Sequence, residues 1–270
     1  MKVCIYHKNC FDGICSAWVV QKKYPDVVLY AMNYGESFPW DVPTNSDIIF
    51  VDFSLKRAEM LQIKEKFKSL LVIDHHKTAE AELEGLDFAV FDMNESGASL
   101  AWKHYFTQIP VPKLVRYIKD RDLWLFKETA SQEVNAYIQS FPMEIEPYEN
   151  LALYLDTDLG LQMALTGGES ILRYKNQMVI AMCKYHSIEL IGEHQVPVAN
   201  ASVMFSEVGD ALVKMYPELP FSAYYFDRLA DGKRQWGLRS HGDFDVSEVA
   251  KKFGGGGHKN AAGFIEDIPR

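Results

Sequence analysis

The chain has 270 residues, enough for one large domain or two of modest size. Its 48% hydrophobic and 24% charged residues are the proportions of a globular protein with a real core. A formal charge of −9 argues against a protein that coats long duplex DNA or RNA, whose affinity comes from clustered Lys and Arg. It leaves room for a small anion held by a metal and a few local cations.

In chain order, Lys2 to Tyr6 reads as a short apolar strand and Asp12 to Lys23 as a helix. Val27 to Met32 is β-rich, Asp47 to Asp52 is a buried-type strand, and Leu55 to Lys68 is an amphipathic helix. Leu70 to Ile73 is a further apolar strand that ends at Asp74. Strands separated by helices of this length imply parallel pairing through right-handed crossovers. The chain then turns helical, at Ser96 to Tyr105 and at Pro112 to Lys119, before a loop-rich stretch punctuated by Pro142 and Pro147. Glu169 to Ile188, after Gly167-Gly168, reads as a long connecting helix.

From about Gln195 the pattern resets. Strands are expected near Val196 to Ser202, Phe221 to Phe226 and Gln235 to Ser240, with a helix at Ser206 to Met215. A short helix, Val246 to Phe253, meets four glycines, and Ala262 to Ile265 reads as a last strand. The fold class is therefore α/β: a parallel-sheet N-terminal domain over 1–168, a connecting helix and linker over 169–194, and a smaller α/β domain over 195–270.

Cys4, Cys10, Cys15 and Cys183 form no CxxC pair and no dense disulfide pattern, so reduced thiols are expected. The opening MKVCIYHKNCFDG holds no signal-peptide-like apolar stretch, and no later run approaches a membrane span. The expectation is a cytoplasmic protein without a membrane partner.

Polar residues stand just past the ends of three predicted strands: His7, Asp52 and Asp74-His75-His76. In an open parallel sheet that edge is where ligands bind. Together with Asp12 and one of Asp120 or Asp122 they mix imidazole and carboxylate, which suits Mn²⁺ or a similar first-row ion. Each has a blander use: Asp12 as a helix N-cap, Asp52 as a strand terminator, His75 or His76 as ordinary surface histidines. Asp120 and Asp122 could pair with Arg121 or Arg116. The predicted topology gathers several of them at one edge, and that joint placement favours a site over the separate readings.

The sequence resembles the DHH phosphoesterase superfamily, in the subfamily with a DHH-associated C-terminal domain. The resemblance rests on YHKNCFDG (6–13), VDFS (51–54), IDHHKT (73–78), SGASLAW (96–102) and YIKDRDLW (117–124), and then on Arg239-Ser240 and DVSEVAKKFGGGGHKNAAGF (245–264). It implies two divalent metals, Mn²⁺ foremost, with Asp52 bridging them. His7 would complete one site; Asp12, His75 and a final aspartate would complete the other. Asp120 is preferred for that last ligand, with Asp122 as the alternative, because Asp120 directly follows the apolar Tyr117-Ile118. Asp74 would orient a histidine and His76 would face the scissile phosphate.

Relatives carry an aspartate where this chain has Cys10. As a ligand, Cys10 would favour Zn²⁺ or Fe²⁺; otherwise it is a small buried side chain. Near the C-terminus, Gly255, Gly256, Gly257 and His258, with Arg239 and Ser240, are expected to bind the uncleaved end of the substrate, through close backbone N–H groups and a bidentate guanidinium. The expected reaction is hydrolysis of a small phosphorylated nucleotide: a short single-stranded oligoribonucleotide, a dinucleotide or a nucleoside bisphosphate. An inorganic pyro- or polyphosphatase and a non-catalytic nucleotide sensor are the alternatives. The oligomeric state is left open, a homo-oligomer included.

Overall fold

In the computed structural model, which describes residues 1–269, the chain divides into two compact units, Met1–Leu172 and Arg173–Arg270. The first begins β1 (Lys2–His7), α1 (Phe11–Lys23), β2 (Val28–Met32), β3 (Asp47–Val51), α2 (Arg57–Lys66), β4 (Ser69–Asp74), α3 (Lys77–Glu82) and β5 (Ala89–Phe91). It continues with α4 (Gly97–Tyr105), α5 (Lys113–Asp122), α6 (Ser131–Ile138), α7 (Ile145–Leu155) and α8 (Asp158–Cys183), the last running on into the second unit. The sheet order is β2-β1-β3-β4-β5, parallel at every pairing.

Period-two alternation explains how this sheet is covered on both faces. Val3, Ile5, Ile48, Phe50 and Val72 point to one side, where they pack with Phe38, Met60, Ile63 and Phe67. Their neighbours Cys4, Ile49, Val51 and Ile73 point to the other side, toward Trp18, Trp102, Tyr117 and Tyr148 of the helices. Burying one such large apolar side chain stabilises the unit by about 1.5–3 kcal/mol, so strands this apolar have no stable place but the interior.

The helical half departs from expectation in three places. The stretch around Pro142 and Pro147 is not loop-rich but carries α6 and α7. Pro147 is the third residue of α7, where its missing N–H would have had no helical partner anyway. The long helix starts at Asp158 rather than Glu169, and Gly167-Gly168 lie inside it. A Cβ on Gly168 would stand 1.8 Å from the Glu133 carbonyl oxygen, so glycine there permits close packing on α6 rather than ending a helix. The same helix stops at Cys183, and the residues expected to extend it to Ile188 open a strand.

That strand is β6 (Ser187–Ile191), followed by β7 (His194–Asn200), α9 (Phe205–Met215), β8 (Ser222–Arg228), β9 (Lys233–Arg239), α10 (Val246–Lys252), β10 (Gly256–His258) and β11 (Ala261–Asp267). The six-stranded order is β10-β11-β9-β8-β7-β6. All pairings are antiparallel except β7 with β8, which α9 connects as a crossover. Val196, Val198, Phe221, Trp236 and Phe264 form the core of this unit. Among the described residues no helix is long and apolar enough to cross a membrane, and all four cysteines are free.

Candidate metal centre

Strand register assembles the centre. Tyr6 pairs with Val51 and Val51 with Ile73, so the next residue on each strand (His7, Asp52, Asp74) falls in one row at the C-terminal edge of the sheet. Asp52 leaves its strand at φ 54, a left-handed conformation uncommon for a non-glycine residue, while its N–H still donates to the Ile73 carbonyl at 3.0 Å. The turn brings both carboxylate oxygens of Asp52 into use. Oδ1 lies 3.0 Å from His75 Nε2, and Oδ2 lies 3.6 Å from His7 Nδ1.

Around His75 the acid density is high: its Nε2 is also 3.6 Å from Asp12 Oδ2 and 3.5 Å from Asp122 Oδ2. Asp12 is held at the N-terminus of α4, where the Gly97 N–H donates to Oδ2 at 2.5 Å and the Ala98 N–H to Oδ1 at 3.1 Å. A side chain at position 97 would not fit, since its Cβ would stand 2.5 Å from the Asp52 Cβ. His7 sits edge-on to Tyr34 and stacked on Phe53, which fixes its ring plane. Asp74 accepts from the His75 and His76 N–H groups and from His76 Nδ1, at 2.7, 3.3 and 2.7 Å. A proton on His76 Nδ1 is thereby shared with Asp74, which sets the imidazole's orientation.

The electrostatics of the cluster are dominated by burial and by the crowding of three carboxylates around His75. Burial alone would pull the His75 imidazole down, but Asp122, Asp52 and Asp12 together hold it well above the ordinary histidine range. Asp12 is pushed well up, by burial first and then by repulsion from Asp52 and Asp122. Asp122 is raised as well, by burial and by Asp52. For Asp52 burial is outweighed by His7 and His75 beside it, and its carboxyl stays well below the usual range.

Among the described residues, His7 Nδ1, Asp52 Oδ2 and Asp122 Oδ2 are buried and make no hydrogen bond. Each such atom costs about 1–3 kcal/mol if nothing else satisfies it. Two donor triplets lie there, His7–Cys10–Asp52 and Asp12–His75–Asp122, with the ligand atoms of each within 4.8 Å of one another. The donors thus fit a pair of divalent cations, with Asp52 facing both triplets.

Asp120 and Asp122, the two candidates for the last ligand, stand in different surroundings; Asp120 is engaged by backbone. Its carboxylate accepts the Lys127 and Glu128 N–H groups, each at 2.9 Å, and its carbonyl accepts those of Leu125 and Phe126. It closes the turn after α5, and Asp122 is the residue that reaches His75. Ser240 is likewise engaged within its own unit. Its hydroxyl donates to the Phe244 carbonyl and accepts from Asn260, so it ties a loop and has little left for a ligand.

The four glycines are not an open cradle throughout. Gly256, Gly257 and His258 pair with β11, and a Cβ on Gly255 would stand 2.0 Å from the Gly263 carbonyl oxygen. Arg239, Ala261 and His258 do fall in one row across β9, β11 and β10, which places the guanidinium and imidazole residues on one face with only alanine between them. The backbone N–H groups of Gly97 and Ala98 had no assigned role in the sequence, although Ser96 ahead of an apolar run signalled the helix start that supplies them.

No family model matches the chain. An uncharacterized protein of Acanthamoeba polyphaga mimivirus is 28% identical over 284 residues, covering 97% of this chain and 66% of its own length. Oligoribonuclease NrnB of Bacillus subtilis is 39% identical over 74 residues, 27% of this chain and 18% of its own length. The chain therefore spans just under two thirds of the first relative and matches under a fifth of the second.

Among solved structures, a DHH domain from a member of a ribosomal-protein family superposes with TM-score 0.58 at 14% identity, covering 99% of this chain and 82% of its own. Manganese-bound exonuclease RecJ gives 0.53 at 17%, covering 98% and 86%. The pGpG-specific phosphodiesterase PggH of Vibrio cholerae gives 0.51 at 14%, covering 99% and 93%. The parallel sheet, the second sheet and these superpositions agree: the chain has the fold of the DHH-domain proteins.

Proposed function

We propose that the chain is a metal-dependent phosphoesterase acting on small nucleotides: short oligoribonucleotides, dinucleotides or nucleoside bisphosphates. The observation that carries this reading is the buried carboxylate–imidazole set at the sheet edge, with Asp52 turned toward both donor triplets. Divalent ions held there would supply Lewis acidity toward phosphoryl oxygens and promote ionisation of water near neutral pH.

The protein's own groups have distinct tasks. Asp12, His75 and Asp122 would hold one cation and His7 and Asp52 the other, since Asp52 faces both donor triplets. Asp74 orients His76, whose imidazole it also raises against the opposing effect of burial. His76 then donates a hydrogen bond to the phosphate or a proton to the leaving oxygen. On the second unit, Arg239 and His258 offer a guanidinium and an imidazole that suit a phosphate or a base.

The relatives' names support nucleotide chemistry: one is an oligoribonuclease and one structural neighbour a pGpG-specific phosphodiesterase. The charge of −9 keeps long duplexes out of the reading and favours small or short single-stranded substrates.

The test is hydrolysis by metal-stripped protein reloaded with Mn²⁺, alone and with Zn²⁺, on linear dinucleotides, nucleoside bisphosphates and inorganic polyphosphate. Dinucleotide or bisphosphate turnover is expected, falling on the order of 100-fold or more in Asp52→Asn. Cleavage of polyphosphate alone, or of nothing, would overturn the assignment.

A further inference from the structure

We infer that the two donor triplets hold unlike metals, with the Cys10 thiolate making the His7 side the softer site of an asymmetric pair. The inference rests on the metal-centre reading above and deepens it. One triplet, Asp12–His75–Asp122, offers only oxygen and imidazole nitrogen; the other, His7–Cys10–Asp52, adds sulfur. Otherwise the two are alike, and Asp52 faces both.

Ligands about 2.0–2.3 Å from one tetrahedral ion sit roughly 3.3–3.8 Å from each other. A triplet already gathered within 4.8 Å needs a closure of about 1 Å. The thiol does not stand alone, because His7 Nδ1 and Asp52 Oδ2, in the same triplet, are buried, face each other at 3.6 Å and make no hydrogen bond among the described residues.

The remaining cysteines of the first unit contrast with it. Cys4 and Cys15 are fully buried in the apolar core beside Trp18 and Val51, and neither joins a donor group among the described residues. Thiolate donors select Zn²⁺ or Fe²⁺, whereas the oxygen-rich triplet suits Mn²⁺. The expected resting metal content is one soft and one harder ion per chain.

Co²⁺ loading of the full-length, metal-stripped protein tests this without reference to turnover. A thiolate-to-cobalt charge-transfer band in the near ultraviolet is expected in the parent and in Cys15→Ala, and is expected to vanish in Cys10→Ser and Cys10→Asp. Circular dichroism checks that each variant is folded, and the parent and Cys15→Ala spectra decide the matter if a Cys10 variant does not fold. Zn²⁺ should displace the band at concentrations on the order of 100-fold below those needed with Mn²⁺.

With Mn²⁺ and Zn²⁺ offered together, the parent should retain one of each and Cys10→Asp should retain Mn²⁺ at both positions. Bound Co²⁺ without the band in the parent, or a band that survives in Cys10→Ser, overturns the unlike pair and leaves the phosphoesterase reading standing. Failure to bind Co²⁺ at all overturns both.

Discussion

Asp120 and Asp122 make a crossed prediction in which one substitution harms folding and the other harms metal binding. Asp120 is buried, 4% exposed, and each of its carboxylate oxygens accepts one backbone N–H, from Lys127 and from Glu128. Asp120→Asn puts an amide nitrogen against one of those donors. The loss is one hydrogen bond to a charged acceptor, about 1.5–3 kcal/mol. At about 2–4 °C per kcal/mol for a unit of this size, the melting temperature of the metal-free protein should fall by roughly 3–12 °C.

Asp122 behaves in the opposite way. Its carboxyl is raised by burial and by Asp52, so neutralising it in metal-free protein removes repulsion and should leave stability unchanged or slightly increased. Metal affinity, by contrast, should drop at least tenfold or so, the scale seen even when a group behind a ligand is lost. Melting curves in chelator and a metal titration followed by calorimetry measure both arms. If Asp120→Asn loses metal binding with its melting temperature intact, the assignment of the two aspartates is refuted. The same holds if Asp122→Asn destabilises the metal-free protein by about 2 kcal/mol.

Three further substitutions probe the frame. Gly97→Ala would place a Cβ 2.5 Å from that of Asp52 and 3.0 Å from Asp12 Oδ2, so metal affinity should fall on the order of tenfold; parental affinity in a titration would contradict the packing. Gly168→Ala gains about 1 kcal/mol of helix propensity but drives a methyl into the Glu133 carbonyl, and overpacking of about 1–3 kcal/mol should win, seen as a lower melting temperature. Asp47 is held down to about 2 by Ser69 first and then by Lys68 and Lys2. A depressed carboxylate stabilises above its unfolded pKa of about 3.9 and loses that contribution as pH falls toward the folded value. Discounted for solvent screening, Asp47→Asn should cost about 1 kcal/mol at pH 7 in urea unfolding. The gap should narrow below about pH 4, and a gap unchanged toward acid would refute the linkage.

How far the fold could be read from the chain depended on what kind of signal each element leaves. Strands such as DIIFV and SLLVID announce themselves because a parallel strand is buried on both faces and needs apolar residues throughout. The register that aligns His7, Asp52 and Asp74 then follows from strand ends alone. The helices around Pro147 and Gly167-Gly168 leave no plain signal in the sequence, because both residue types usually mark breaks. Pro147 is harmless in a first turn, and Gly168 answers to Glu133 on another helix, a partner that local periodicity does not reveal. For the same reason β5 and α3, only three and six residues long, left too little pattern to find.

The site shows a subtler limit, at the two aspartates of α5. Residues two apart on a helix point roughly 200° away from each other, so at most one of them can face the row of strand ends. Adjacency to the apolar Tyr117 and Ile118 favours Asp120 as the ligand, and Asp120 is buried. Burial, however, is what a turn-closing carboxylate and a metal ligand have in common. The difference lies in where the backbone goes next. Trp124 and Phe126 both adopt left-handed conformations, and the chain doubles back so that the N–H groups of Lys127 and Glu128 meet the Asp120 carboxylate. That leaves Asp122, only partly covered within α5's last turn, as the carboxylate whose second oxygen has no hydrogen bond among the described residues and lies within reach of His75. A buried acid already bound by two backbone donors has little to offer a cation. An acid raised by burial and by Asp52, with an oxygen that makes no hydrogen bond, is the one that a metal would stabilise, and this criterion favours Asp122 where proximity to apolar residues favours Asp120.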